Sequence, residues 1–249
     1  MPVVTDAIVL CGGAGLRLRS VTGNAPKSMA GIAGRPFLEL LLKQLRRNGF
    51  ERVILAVGYQ TDAIREYFGE RAFDLEVLYS SEPSPLGTGG AVRNAVGLVT
   101  SECVLIMNGD SYTDADLREF VADHRASNAD VSVVVVPADR RDDVGSVRVD
   151  GSGRLARFDE KQCSAGAPYL NAGIYMMSRA ILNNIAPGVP VSVEQELFPR
   201  WLAEGRDIRA FVHTGACVDI GTPERYQVAQ DVLANVEAEA GVAGEADQR

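Results

Sequence analysis

The sequence predicts an α/β fold, a doubly wound and mostly parallel sheet with a β-hairpin in its second half. Three observations carry that prediction. Apolar runs of five or six residues ("AIVLC", "RVILAV", "ECVLIM", "VSVVVV") alternate with amphipathic segments of helical period. After about residue 137 the rhythm changes to two alternating strands around Asp-Gly-Ser-Gly, "SVRVDGSGRLARF". The chain has 249 residues, 46% of them apolar and 23% charged, enough to bury a large core as one α/β unit.

Taken in order, "AIVLC" is a buried strand followed by a glycine-rich loop. "RPFLELLLKQLRRNGF" is a helix with Pro36 in its first turn. Phe37, Leu38, Leu41, Leu42 and Leu45 lie on one face, and Gly49 forms the C-terminal cap. "RVILAV" is a strand, and "TDAIREYFG" a short helix capped by Thr61. "LEVLY" is a strand leading through "SSEPSPLGTGG" to the helix "GAVRNAVGLV". "ECVLIM" runs into "NGD", and the helix "DADLREFVADHRAS" precedes the strand "VSVVVV". Beyond the hairpin come the strand "NAGIYMMS", the helix "SVEQELFPRWLAEG" capped by Ser192, two extended segments ("IRAFVH", "CVDIG") and a last helix, "TPERYQVAQDVLANV", with Pro223 in its first turn. We expect one domain over residues 1–236, with a nucleotide half near 1–136 and a second half near 137–230 closing the other side of a cleft. The small, acidic stretch 237–249 is expected to fray.

Composition excludes several classes of function. The net charge of −8 argues against a nucleic-acid partner. No run approaches the roughly 20 apolar residues that a membrane span needs, and the apolar N-terminal run lacks the basic segment of a signal peptide. Cys11, Cys103, Cys163 and Cys217 form no C-x-x-C and are expected as reduced, packed thiols. The expectation is a cytoplasmic protein with no membrane partner, and homo-oligomerisation stays open. Both histidines are expected in ordinary roles, His124 on an exposed helix and His213 before a turn.

Cationic charge gathers at the opening loop, where Arg17, Arg19, Lys27 and Arg35 face only Asp6 within residues 1–35. The loop "CGGAGLRLRSVTGNAPK" is not a dinucleotide fingerprint. Counted from Gly13, the third glycine position holds Leu18, and the acid expected about 20 residues on would be Glu39, inside a leucine-rich helix. Nor is it a P-loop, since no Gly-Lys-Ser/Thr follows. A tight turn explains the glycines but not the cations. Glycines let backbone N–H groups approach phosphate oxygens. Arg17 can fork onto phosphates, and Lys27 can act on them as a point charge.

"GGAGLRLRSVTGNAPKSM" resembles the signature of the sugar-1-phosphate nucleotidylyltransferases, and the resemblance extends from about residue 5 to 230. "PLGTGGA" (85–91), "NGD" (108–110), "DEK" (159–161), "NAG" (171–173) and "DIGTPERY" (219–226) occur in the family's order. Within it the chain is similar to D-glycero-α-D-manno-heptose 1-phosphate guanylyltransferases, through "AGRPFLE", "PLGTGGA" and the Asn before Gly-Asp. The resemblance implies a Rossmann-like, GT-A-like fold. It implies an enzyme that joins an NTP, with GTP expected, to a sugar 1-phosphate, with the heptose phosphate expected. The products are an NDP-sugar and pyrophosphate, formed by Mg²⁺-assisted in-line attack on the α-phosphate. Asp110 and Asp219 are implied as the Mg²⁺ ligands, and Arg17, Lys27 and Asp110 as the catalytic residues.

Leu10, Gly12, Gly13, Gly15, Glu82, Gly87 and Thr88 are the candidate nucleotide contacts. Gly87 would let backbone approach the base, with Thr88 starting the next helix. Glu82 aligns with a base-contacting position. A carboxylate only accepts, which suits guanine, with its N1–H and N2–H₂, better than uracil or thymine. On the sugar side, Glu160 and Asn171 would bond hydroxyls, Lys161 would hold the 1-phosphate and Gly145 would let backbone reach the sugar. Glu194 is either a further sugar contact or a solvated helix acid.

The chain departs from the family at Cys11, Ser28 and Gly31, where relatives often carry Ala, Pro and Pro. These changes loosen the loop around Lys27 without removing a charge. Alternatives are a mannose-1-phosphate or other hexose-1-phosphate enzyme using CTP, UTP or dTTP, a catalytically silent nucleotide sensor, or a dinucleotide-dependent oxidoreductase. The last is disfavoured by the failed fingerprint, and the sensor by the presence of Arg17, Lys27, Asp110, Lys161 and Asp219 together.

Overall fold

The computed structural model describes residues 5–13, 15–23, 25–58, 61–138, 145–159 and 168–246, with backbone alone over 235–246. β1 (Asp6–Leu10) is buried along both faces, as a central parallel strand must be. The glycine turn after it leads through a 3-10 turn at Leu16–Leu18 into α1 (Arg19–Thr22), one helical turn that the sequence pattern does not mark. A second 3-10 turn, Lys27–Met29, precedes the small ladder of β2 (Gly31–Ile32) with β3 (Arg35–Pro36). Then comes α2 (Phe37–Arg47), its five apolar face residues fully buried and Gly49 at φ +84° just beyond its end. Pro36 is the residue before the helix rather than part of its first turn.

β4 (Arg52–Val57), α3 (Thr61–Phe68), β5 (Arg71–Ala72), β6 (Leu75–Ser81), α4 (Gly87–Ala95) and β7 (Cys103–Asn108) complete the repeating first half. Thr61, expected as a cap acceptor, is the first helical residue, and its hydroxyl donates to the Gly58 carbonyl at 2.8 Å. The short β8 (Ser111–Thr113), α5 (Leu117–Ser127) and β9 (Val131–Pro137) follow, and Asp116 caps α5 by accepting from the N–H groups of Arg118 and Glu119. The expected hairpin is β10 (Ser146–Val149) with β11 (Leu155–Asp159). After β12 (Tyr169–Ser178) and α6 (Arg179–Asn183), a π-helical turn at Val193–Leu197 runs into α7 (Phe198–Ala203), with Ser192 capping as expected. β13 (Ile208–Val212), β14 (Cys217–Asp219) and α8 (Pro223–Ala246) end the fold. The helical backbone of α8 continues through 237–246, where the composition predicts fraying.

β6, β4, β1 and β7 lie side by side and parallel, the order expected of a doubly wound half. β12 joins this block antiparallel to β7 and extends the ten-stranded sheet into the second half. Its first residues pair with β10 and its last with β7, while β9 runs along its other side and carries β13. The β9 register shifts between Asn171 and Tyr175, so β12 is irregular where it passes from one neighbour to the next.

Alternation along β1 shows why both faces need cover. Ala7 and Val9 join a core closed by α2, α3, α5 and α8, while Ile8 joins one closed by α4, α6 and α7. His124 corrects an expectation, because it is buried under α5 with Nδ1 2.8 Å from Ser132 Oγ on β9. Burial holds its pKa below the usual imidazole value.

Candidate functional site

The carboxyl ends of β1, β4 and β7 and the start of α4 surround a cavity of about 970 Å³. Ligands of open α/β sheets bind at this edge. A smaller cavity of about 240 Å³ lies beside it, walled by Gly145, Asn171, Glu194, Asp219, Arg17 and Arg225 among others. The two share Lys27, Thr88, Asn108 and Asp110, so they form one cleft with a charged waist.

Seven of the expected nucleotide and catalytic residues besides Asp110 line the larger cavity: Leu10, Gly12, Gly13, Lys27, Glu82, Gly87 and Thr88. Gly12 packs against Glu82, since a Cβ there would sit 3.2 Å from Oε1. Glu82 Oε2 accepts from the Leu86 N–H at 2.9 Å. Burial pushes the Glu82 carboxyl above the usual value, and that N–H bond partly opposes the shift. Gly15 lines neither cavity. It holds φ +57° and packs on Lys27, whose Cβ lies 3.0 Å from where a Gly15 Cβ would be. Its part in the site is to let the loop turn tightly enough to deliver Lys27.

Gly87 also serves a different need from the one expected. It opens α4 at φ +69°, and a Cβ would meet the Val191 carbonyl oxygen at 2.7 Å. That same oxygen accepts from the N–H groups of Gly89 and Gly90 at 2.9 and 3.2 Å. The orphan donors of the helix start are therefore satisfied by the 189–193 segment, and the glycine permits that close approach.

The waist carries the charges. Lys27 Nζ pairs with Asp110 Oδ2, and Ser111 Oγ donates to Asp110 Oδ1 at 3.2 Å. β14 pairs with β8 so that Asp219 stands opposite Ser111, and the Ile220 N–H donates to the Asp110 carbonyl at 3.0 Å. This ladder brings the two expected metal carboxylates, 109 residues apart in sequence, onto adjacent backbone. Asp219 accepts from Gly221 N at 2.8 Å and from Arg225 Nη1 at 3.1 and 3.2 Å. Among the described residues no group of three or more metal-ligating side chains exists. Two carboxylates opening on one cavity suit a hard divalent cation that takes its other ligands from phosphate and water.

The two arginines of the opening loop part company. Arg17, expected on the nucleotide phosphates, lines the smaller cavity, while Arg19 lines the larger. Gly145, Asn171 and Glu194 line the smaller cavity as the sugar-side expectation requires, and Glu160 and Lys161 lie outside the described residues. Sequence reasoning missed Arg19, Arg225 and Asn108, which line the cleft, and Tyr175, which is bonded behind Asn171. The first three stand inside quoted motifs; Tyr175 follows "NAG" by two residues and is fully buried. Cys11, at the wall of the larger cavity, is a packed thiol pushed up to about 12 by burial. No helix of the described residues is long and apolar enough to cross a membrane.

The chain matches the nucleotidyl transferase family over residues 6–235. It is 38% identical, over 89% of its length, to a mannose-1-phosphate guanylyltransferase of Mycobacterium tuberculosis, and spans 62% of that protein. It is 35% identical, over 92% of its length, to a D-glycero-alpha-D-manno-heptose 1-phosphate guanylyltransferase of Aneurinibacillus thermoaerophilus, and spans 98% of that one. The crystal structure of HddC from Yersinia pseudotuberculosis complexed with GMP-PN superposes with a TM-score of 0.81 at 31% identity, covering 92% of this chain and all of the other.

Proposed function

The chain belongs to the nucleotidyl transferase family, and from that premise we propose that it is a sugar-1-phosphate guanylyltransferase acting on D-glycero-α-D-manno-heptose 1-phosphate. The observation that carries this reading is the pair of cavities meeting at Lys27 and Asp110. The larger is sized for a nucleoside triphosphate, the smaller for a sugar phosphate, and their shared residues are where the two anions must touch.

The reaction forms a bond from a sugar-phosphate oxygen to the α-phosphorus of GTP and breaks the bond from that phosphorus to the bridging oxygen of pyrophosphate. The attacking phosphate is already ionised, so no general base is required. The task is to bring two anions together in line. Lys27 holds positive charge at the contact point, Arg19 faces the triphosphate and Arg17 the sugar phosphate. Asp110 and Asp219 would hold Mg²⁺, which would supply charge neutralisation on the phosphates. Glu82, offering only acceptor oxygens at the cavity wall, matches the donor edge of guanine and opposes uracil and thymine carbonyls. Asn171 and the backbone at Gly145 face the sugar, with Glu160 and Lys161 assigned to it by motif alone. Dependence on the NTP pool favours the cytoplasm as its compartment.

The heptose reading is supported by two relatives of matching length, of which this chain spans 98% and 96%. Mannose 1-phosphate is the second reading, favoured by the 38% identity to the mycobacterial relative. Pyrophosphate release should be measured with Mg²⁺ over five NTPs and the heptose, mannose and glucose 1-phosphates. The expected result is fastest release from GTP with the heptose phosphate. Preference for UTP or dTTP refutes the Glu82 argument, and preference for mannose 1-phosphate selects the second reading.

A further inference from the structure

Glu194 is 8% exposed and has no cationic partner among the described residues. Its charge is met by hydroxyls instead. Oε2 accepts from Thr88 Oγ1 at 2.6 Å and from Ser192 Oγ at 3.0 Å, and Oε1 accepts from Tyr175 OH at 3.0 Å. An ionised carboxylate can only accept, and each hydroxyl has one proton to give. The direction of every bond further out is therefore fixed.

With its proton spent on Glu194, the Tyr175 oxygen must act as acceptor towards Asn171. It does so, taking a bond from Asn171 Nδ2 at 2.8 Å, while Asn171 Oδ1 accepts from Gly173 N at 3.0 Å. The Thr88 oxygen likewise accepts, from Val193 N at 2.8 Å. Asn171 thus has one orientation, with its second N–H and second lone pair left for a ligand in the smaller cavity. Thr88 lines both cavities, and Asn171 and Glu194 line the smaller.

We propose that Glu194 and Tyr175 are positioning residues that fix the hydrogen-bonding direction of Asn171 in the sugar cavity and tie it to Thr88 at the nucleotide cavity. The proposal rests on the guanylyltransferase reading and revises the expectation that Glu194 binds the sugar itself. Leaving a carboxylate buried without a cation is costly. Its three hydroxyl donors make the network fully satisfied, and such networks hold side chains to a single arrangement.

Two near-isosteric variants test it. Tyr175→Phe removes the acceptor that orients Asn171 and leaves Thr88 bonded. Glu194→Gln replaces one accepting oxygen by a donor, so Thr88 and Ser192, or Tyr175, must turn. For Tyr175→Phe we expect the KM for sugar 1-phosphate to rise about tenfold, the loss of one positioning bond, with kcat and the KM for GTP within about twofold. For Glu194→Gln we expect both KM values to rise. Unchanged KM values in folded variants, or a fall in kcat alone, overturn the proposal. If the wild type turns over no NTP and sugar-phosphate pair, the functional reading fails by itself. The network then stands or falls on calorimetric titration with a non-hydrolysable GTP analogue, where Glu194→Gln must bind more weakly. Equal behaviour of wild type and variant in that titration, shared absence of binding included, overturns it.

Discussion

The two cavities are built by different means. The larger is walled largely by backbone and short side chains at the ends of parallel strands: Gly12, Gly13, Gly58, Gly109 and the start of α4. The smaller draws more of its lining from charged and amide side chains scattered along the chain, Arg17, Lys27, Asn171, Glu194, Asp219 and Arg225 among them. On the proposed reading the nucleotide would meet mostly backbone at strand ends. The sugar phosphate would meet side chains whose directions depend on what lies behind them. Substitutions should therefore act differently on the two sides, in rate at the waist, in one substrate's KM at the walls, and in stability where glycines allow close packing.

The largest effect belongs to the waist. Asp110→Asn keeps the shape and removes the charge, and should lower kcat by about 10³-fold or more while the circular dichroism and Tm stay as in wild type. A wild-type rate at saturating Mg²⁺ would remove Asp110 from the metal site. The two arginines come next. Arg17→Gln should raise the KM for sugar 1-phosphate about tenfold with little change for GTP, and Arg19→Gln should do the reverse. Steady-state kinetics with each substrate varied in turn checks the split, and equal effects on both would erase the division between the cavities.

Two glycines of the larger cavity separate packing from ligand approach. Gly87→Ala meets both a positive φ and the Val191 carbonyl. It should cost about 1–3 kcal/mol, read as a drop in Tm of several degrees. Gly13→Ala meets nothing within 4 Å, so Tm should hold while the KM for GTP rises. The reverse pattern would mean that the loop at Gly13 is packed rather than open. The smallest effect lies outside both cavities. Burial keeps His124 neutral, with its folded pKa below the unfolded value of about 6.5. Its contribution to stability is complete above that unfolded value and is lost as pH falls through the folded one. Tm measured from pH 7.5 to 5 should decline, and His124→Gln, which cannot titrate, should flatten the decline.

Much of this architecture is legible in the residues, for reasons that follow the same division. β1, β4, β7 and β9 are continuous apolar runs because strands covered on both faces leave no polar side to break them. The strong face of α2 and the Asp-Gly-Ser-Gly turn are equally local signals. The two-residue strands β2, β3 and β5 carry no period to detect, and β8 and β14 exist because Tyr112 and Val218 happen to face each other across long separations. His124 looks exposed because its neighbours Asp123 and Arg125 are charged, yet the helix turns that one position inward.

At the site, Gly12, Gly13, Lys27, Asp110 and Asp219 are visible in motifs, and the structure places them along one cleft, with Lys27 and Asp110 at the waist between its two cavities. Which arginine faces which cavity, that Gly87 answers to Val191, and that Glu194 is tied to hydroxyls are not visible. Each depends on a side chain or carbonyl contributed from about 100 residues away or on rotamers set by packing.

On the proposed reading, a nucleotide and a sugar phosphate meet at the waist, where a new bond to the α-phosphorus replaces the bond to pyrophosphate. Phosphorus NMR of the protein with GTP, D-glycero-α-D-manno-heptose 1-phosphate and Mg²⁺ tests it directly. One pyrophosphate is expected for each GDP-sugar formed, with neither product when either substrate is omitted. Release of inorganic phosphate with GDP, or pyrophosphate without a sugar nucleotide, would contradict it.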